Sequence, residues 1–296
     1  MAGLVLRRAL LVPLLASVAL GACRDGSPSA ELAEERGSTS TAAATPATTT
    51  STAAARPPEP PEPAASAEAL AAQLVAVETA IRNPATPASD LPRLGHTQQV
   101  VYRTLVLRPE WQPDVLARLP ATLHPVAQAN VQAGTELRVL ASSEPRPLPK
   151  WQIVPPPPAA DLLAEYRSAE AATGVPWQYL AAIHLVETRM GRIRGDSSAG
   201  AQGPMQFIPS TWDIYGEGGD VNSFHDSIHA AARLLRANGA PFNLAAALRA
   251  YNDSARYVRG VTAYAEQMRA DERAYLGYYH WQVYYFETWL PEGYAG

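Results

Sequence analysis

Beyond residue 68 the apolar positions of this chain recur mostly at helical spacing. Leu70, Leu74, Val75 and Ile81 form one stripe within residues 69–82, which predicts an amphipathic helix. Similar pieces follow over 94–107, 112–119 and 121–140. Pro92, Pro109 and Pro120 break them, whereas Pro125 suits a first helical turn. The segment 144–158 is rich in proline and ends in four prolines, so an extended connection is expected there. A new helix should begin near Ala160, carrying Leu162, Leu163 and Tyr166, and pack on a helix running from Pro176 to Met190, with Gly191 as its stop. Further helices are expected over 209–215, 224–238, 244–251 and 254–268. Gly239 can stop one of them, Asp226 can cap the helix that follows it, and Asp253 can cap the last. Residues 275–290 are dense in tyrosine and tryptophan and predict one or two strands.

One position departs from this pattern. Leu180, Ile183 and Glu187 are spaced i, i+3, i+7, so a carboxylate falls on the face that should be buried. Desolvation and the negative end of the helix dipole both disfavour its ionised form, as a general acid working near neutral pH requires. Arg189, Arg192 and Arg194 pull the other way, and the sequence leaves the net shift open.

Ten residues later comes Ser197-x-x-Gly200-Ala201-x-Gly203-x-Met205-Gln206, and Tyr251-Asn252 lies further on. With Glu187, these residues resemble the lytic transglycosylases over roughly residues 162–268. The wording Val-Glu-Thr, Gly-Pro-Met-Gln-Phe and Tyr-Asn-x-Ser is most similar to the membrane-bound B-type branch. The resemblance implies a mainly α fold, with a lysozyme-like helical catalytic domain, and cleavage of peptidoglycan glycan strands. It also implies that Glu187 serves first as acid and then as base, while the sugar's own C6 hydroxyl attacks, leaving a 1,6-anhydro-N-acetylmuramic acid end. Ser197 and Gln206 would line the cleft, and Tyr251 and Asn252 would sit over the sugar at the catalytic subsite, Asn252 towards an N-acetyl group and Tyr251 towards a carboxyl. The aromatic tail then has two readings, a sheet sealing the edge of the core or a stacking surface for sugar rings.

Most glycosidases use a second carboxylate. The candidates are Asp196, Asp213, Glu217, Asp220, Asp226 and Asp253, none of which shares Glu187's apolar face. A hydrolytic muramidase using one of them, or a non-catalytic cell-wall-binding lipoprotein, are the alternative readings. His225 and His229 stand i, i+4, a spacing that can bind zinc. Asp226 occupies the place where a metalloprotease has Glu, and no third ligand is evident, so no metal and no cofactor are expected. Residues 220–222 begin like a calcium loop, but Phe224 and His225 stand where an oxygen ligand and glycine belong.

At the N-terminus, Arg7 and Arg8 precede a short apolar run that closes at Leu20-Gly21-Ala22-Cys23. This pattern resembles a lipoprotein signal, with cleavage before Cys23 and lipid attachment to its thiol. Cys23 is the one cysteine of the chain, so it forms no internal disulfide. The expected organisation is a signal peptide over 1–22, an unstructured Ala/Thr/Ser/Pro linker over 23–67 and a helical module over 68–142. A proline-rich connector (143–158), the catalytic domain (159–270) and an aromatic β-rich tail (271–296) follow. The expected location is the cell envelope, exported and anchored to a membrane through Cys23. With 24 basic and 28 acidic residues, and the basic ones scattered, nucleic acid is not an expected partner.

Overall fold

The computed structural model describes residues 59–141 and 147–296; the expected signal peptide, Cys23 and most of the expected linker lie outside them. Helix α1 (Ala67–Arg82) begins at Ser66, whose hydroxyl accepts the amide of Ala69, a cap of the usual kind. Its buried stripe includes Leu70, Leu74, Val77 and Ile81, along with a carboxylate. Glu78 is fully buried and accepts from Tyr102, Gln98 and Arg82, an ionic and hydrogen-bonded cluster that compensates its desolvation. Tyr102 and Gln98 belong to α2 (Leu91–Leu107), which starts three residues earlier than the apolar pattern indicates. Pro92 sits within its first turn, where its missing N–H costs nothing. Helices α3 (Gln112–Arg118) and α4 (His124–Leu140) complete this part.

The connection that follows is more than a spacer. Its residues form β1 (Gln152–Ile153), paired antiparallel with β2 (Ile193–Arg194) just beyond the Glu187 helix. The C-terminal end joins them, through the bridge Gln152–Ala295 and a hairpin of β3 (Val283–Tyr285) and β4 (Thr288–Leu290). Ile153, Ile193, Val283 and Leu290 make a small apolar cluster there.

The remaining helices are α5 (Ala159–Thr173), α6 (Trp177–Thr188), α7 (Pro209–Tyr215), α8 (Phe224–Ala237), α9 (Leu244–Tyr251), α10 (Ala255–Ala270) and α11 (Arg273–Tyr279). The chain is mainly α, with two small two-stranded sheets. Helix α10 lies between α4 and α6. A Cβ on Gly260 would stand 2.7 Å from Leu137 Cγ, so the close approach of α4 requires glycine there. Leu70, Val101 and Leu105 share one hydrophobic cluster with Leu180, Ile183, Val261 and Met268. The helices therefore share one main core beside the small cluster at the strands, and each fully buried Leu or Ile in it contributes roughly 1.5–3 kcal/mol.

Three local expectations are corrected. Helix α6 ends at Thr188 rather than Met190, because Arg189 and Met190 both take positive φ (54° and 61°). The caps of α8 and α10 are Ser223 and Ser254, whose hydroxyls accept the first-turn amides; Asp226 instead accepts the amide of Asp220, and Asp253 pairs with Arg249. Residues 273–279 are helical, not extended. There the aromatics are core: Tyr275, Tyr278 and Trp281 are buried and donate to Ala159 O, Asn130 Oδ1 and Gln98 Oε1. Burial of both the rings and their polar ends is what the high aromatic density signified. No helix among the described residues is long and apolar enough to cross a membrane.

Candidate active site

Glu187 lies in the last turn of α6, 3 % exposed. Burial drives its carboxyl up to about 8, opposed by a single hydrogen bond, 2.7 Å from the Tyr257 hydroxyl to Oε1. The three nearby arginines do not reverse this. Arg189 donates to Leu185 O, Arg192 pairs with Glu292, and Arg194 lies 4.8 Å from the Phe224 ring centre. The question left open by the sequence is thereby answered: Glu187 is protonated at neutral pH.

The motifs that are distant in sequence meet around this carboxyl. Thr188 Oγ1 donates to Pro204 O at 2.6 Å, which ties the end of α6 to the glycine-containing loop. That loop is a tight hairpin in which Gln202 and Phe207 exchange both backbone hydrogen bonds. Gly203 (φ 71°) turns it, and a Cβ there would stand 1.9 Å from Val221 O. Tyr251 is buried at the end of α9, donates to Met205 O, and stacks on Tyr257 with centroids 6.3 Å apart and planes 4° apart. Glu187, Tyr257, Tyr251 and the Met205-Gln206 backbone thus form one connected cluster.

Two amide side chains are left with unused capacity. Gln206, held at φ 53°, donates from Nε2 to Gly203 O (2.9 Å) and Gly195 O (3.4 Å), while its buried Oε1 has no partner. Asn252, 5 % exposed, has a buried Nδ2 without a partner. An unpaired acceptor on Gln206 and an unpaired donor on Asn252 are groups a bound ligand can satisfy. Ser197 is buried and its Oγ accepts the amides of Ala199 (3.2 Å) and Ala201 (2.9 Å), so it shapes the loop while keeping a proton to donate. Cys23 lies outside the described residues.

Residues 165–273 match the family model of the transglycosylase SLT domain. The segment is a lysozyme-like SLT domain. No curated protein and no solved structure matches the chain. An SLT domain carries lytic transglycosylase activity on peptidoglycan, a polymer outside the cytoplasm, and the Glu187 cluster lies wholly within the matched residues.

Sequence reasoning missed Tyr257, the sole hydrogen-bond donor to Glu187 among the described residues. A signal existed: with Ser254 as cap, Tyr257, Val261, Tyr264 and Met268 form the buried stripe of α10 in the SLT domain, and a buried tyrosine hydroxyl needs a partner. Among the described residues, no other carboxylate bonds to Glu187. Asp196, Asp213, Glu217, Asp220 and Asp253 are exposed, and Asp226 is half-buried. The structure also brings Glu165 of α5 to His225 and His229 of α8, a third potential metal ligand that the sequence spacing did not reveal.

Proposed function

We propose that the SLT domain cleaves the β-1,4 bond between N-acetylmuramic acid and N-acetylglucosamine, with Glu187 as the one acid and base. The buried carboxyl of Glu187, protonated at neutral pH and held by Tyr257, carries the proposal. Its proton passes to the glycosidic oxygen as the bond to C1 breaks and an oxocarbenium-like centre develops. The carboxylate left behind then takes the proton of the muramic acid C6 hydroxyl, whose oxygen closes on C1. A 1,6-anhydro end forms, and Glu187 is again protonated for the next cycle.

The unpaired Gln206 Oε1 and Asn252 Nδ2 fit the N–H and C=O of an N-acetyl group. Ser197 supports the same loop, and Tyr251 forms the wall of the subsite while fixing Gln206 through Met205. The lipobox-like Leu20-Gly21-Ala22-Cys23, followed by a Pro/Ala/Thr-rich leash, supports an exported enzyme anchored by lipid at Cys23. The Val-Glu-Thr and Gly-Pro-Met-Gln-Phe wording favours the B-type branch.

The test is the turnover of purified sacculi. Glu187→Gln keeps shape and hydrogen bonding but removes the transferable proton, so the rate should fall at least about a hundredfold. Asn substitutions at Asp196, Asp213, Asp220, Asp226 and Asp253 should each cost far less. A folded Asp variant as inactive as Glu187→Gln would refute the single-acid mechanism.

A further inference from the structure

His225 and His229 stand one turn apart on α8, with ring centres 4.3 Å apart. Glu165 faces them from α5, its Oε2 2.7 Å from His225 Nδ1 and 3.9 Å from His229 Nε2. One ligand atom from each of the three residues lies within 4.8 Å of the others. A plain His–Glu hydrogen bond accounts for His225 but not for His229. The His229 side chain is 15 % exposed, and its Nε2 is shielded from solvent with no hydrogen-bond partner. A shielded, unpaired ring nitrogen beside a carboxylate and a second imidazole is an unfavourable arrangement unless something else occupies the space between them.

We propose that Glu165, His225 and His229 form a binding site for a divalent transition ion of the zinc type, clamping α5 to α8. Two imidazoles and one carboxylate suit zinc, whereas calcium and magnesium call for oxygen ligands. Bonds of about 2.0–2.2 Å in a tetrahedron separate ligand atoms by about 3.3–3.5 Å, and the observed 2.7 and 3.9 Å straddle that value. Small side-chain rotations equalise them. His225 coordinates through Nδ1 once its ring proton resides on Nε2. Burial and the neighbouring His225 both hold His229 below the ordinary imidazole range, which keeps it neutral as a ligand must be. The His225 side chain is 58 % exposed, which leaves an entry path and a fourth position for water.

The clamp bears on the helix that carries the acid. Tyr166, next to Glu165, and Phe224, next to His225, both pack on His184 of α6, with ring centres 6.0 and 5.7 Å away. An ion joining Glu165 to His225 therefore fixes the two sides of the aromatic cage around α6.

The test uses the full chain carrying no affinity histidines, titrated with ZnCl2 alone in a non-coordinating buffer by calorimetry, with melting followed in parallel. The expected result is saturable binding of one ion per chain and a rise in Tm with zinc. Since losing an outer-shell partner of a metal ligand already costs about 10–100-fold in affinity, His225→Ala and His229→Ala should each weaken binding at least about a hundredfold. His225→Ala, at the more exposed position, should keep the metal-free circular dichroism and sacculus digestion of the wild type. Absence of saturable binding to the wild-type chain, or a wild-type zinc isotherm in His225→Ala, overturns the proposal.

Discussion

Replacing Glu187 by Gln should stabilise the protein in a way that depends on pH. The folded carboxyl titrates at about 8, against an ordinary value of 4.5. A group whose folded pKa is raised contributes stability in full below its unfolded pKa and loses it as pH rises through the folded one. The window here runs from about pH 4.5 to about pH 8. Each pH unit inside it is worth about 1.4 kcal/mol, so the wild type forfeits about 3 kcal/mol at this group between pH 4.5 and pH 7. The amide does not ionise and forfeits nothing, while Tyr257 can still donate to its oxygen. Urea unfolding of wild type and Glu187→Gln across this range should give curves that diverge with rising pH, the variant becoming the more stable by about 3 kcal/mol at pH 7. The other carboxylates are common to both proteins and cancel. Parallel curves would show that Glu187 ionises normally, and the assignment of a resident proton would fail with them.

Tyr257→Phe removes the one group that lowers the Glu187 pKa, so the alkaline limb of kcat/KM against pH should move up by about one pH unit; a limb that stays in place would refute its positioning role. Gly203→Ala puts a Cβ onto Val221 O at a residue with positive φ, and should disrupt the Gln206 loop and cost most of the activity, checked by sacculus digestion beside circular dichroism. Cys23→Ser should abolish incorporation of a radiolabelled lipid precursor, and labelling as strong as in the wild type would end the lipoprotein reading.

The helical elements were legible because their apolar stripes are local: residues 70, 74 and 81, or 180 and 183, declare a buried face without knowledge of what covers it. Glu187 was legible for the same reason, as a carboxylate in such a stripe. What escaped depended on partners far along the chain. Tyr257 meets Glu187 across seventy positions, and β1 pairs with β2 across about forty; a two-residue strand has too little pattern to announce itself. Residues 275–279 misled because aromatic residues favour strands by propensity, whereas here tertiary burial of their rings selects a helix. The early end of α6 rests on two left-handed non-glycine residues, Arg189 and Met190, a conformation that costs of order 1–3 kcal/mol each and that no local preference anticipates. Glu165 was invisible as a ligand because the spacing of His225 and His229 says nothing of the helix opposite.

The single-acid mechanism is tested most directly by mass spectrometry of the muropeptides released from purified sacculi. If Glu187 acts alone, with the C6 hydroxyl as nucleophile, the wild-type products end in 1,6-anhydro-N-acetylmuramic acid, and Glu187→Gln releases almost none. Reducing N-acetylmuramic acid ends, heavier by one water, would mean that water is the nucleophile and would contradict the mechanism.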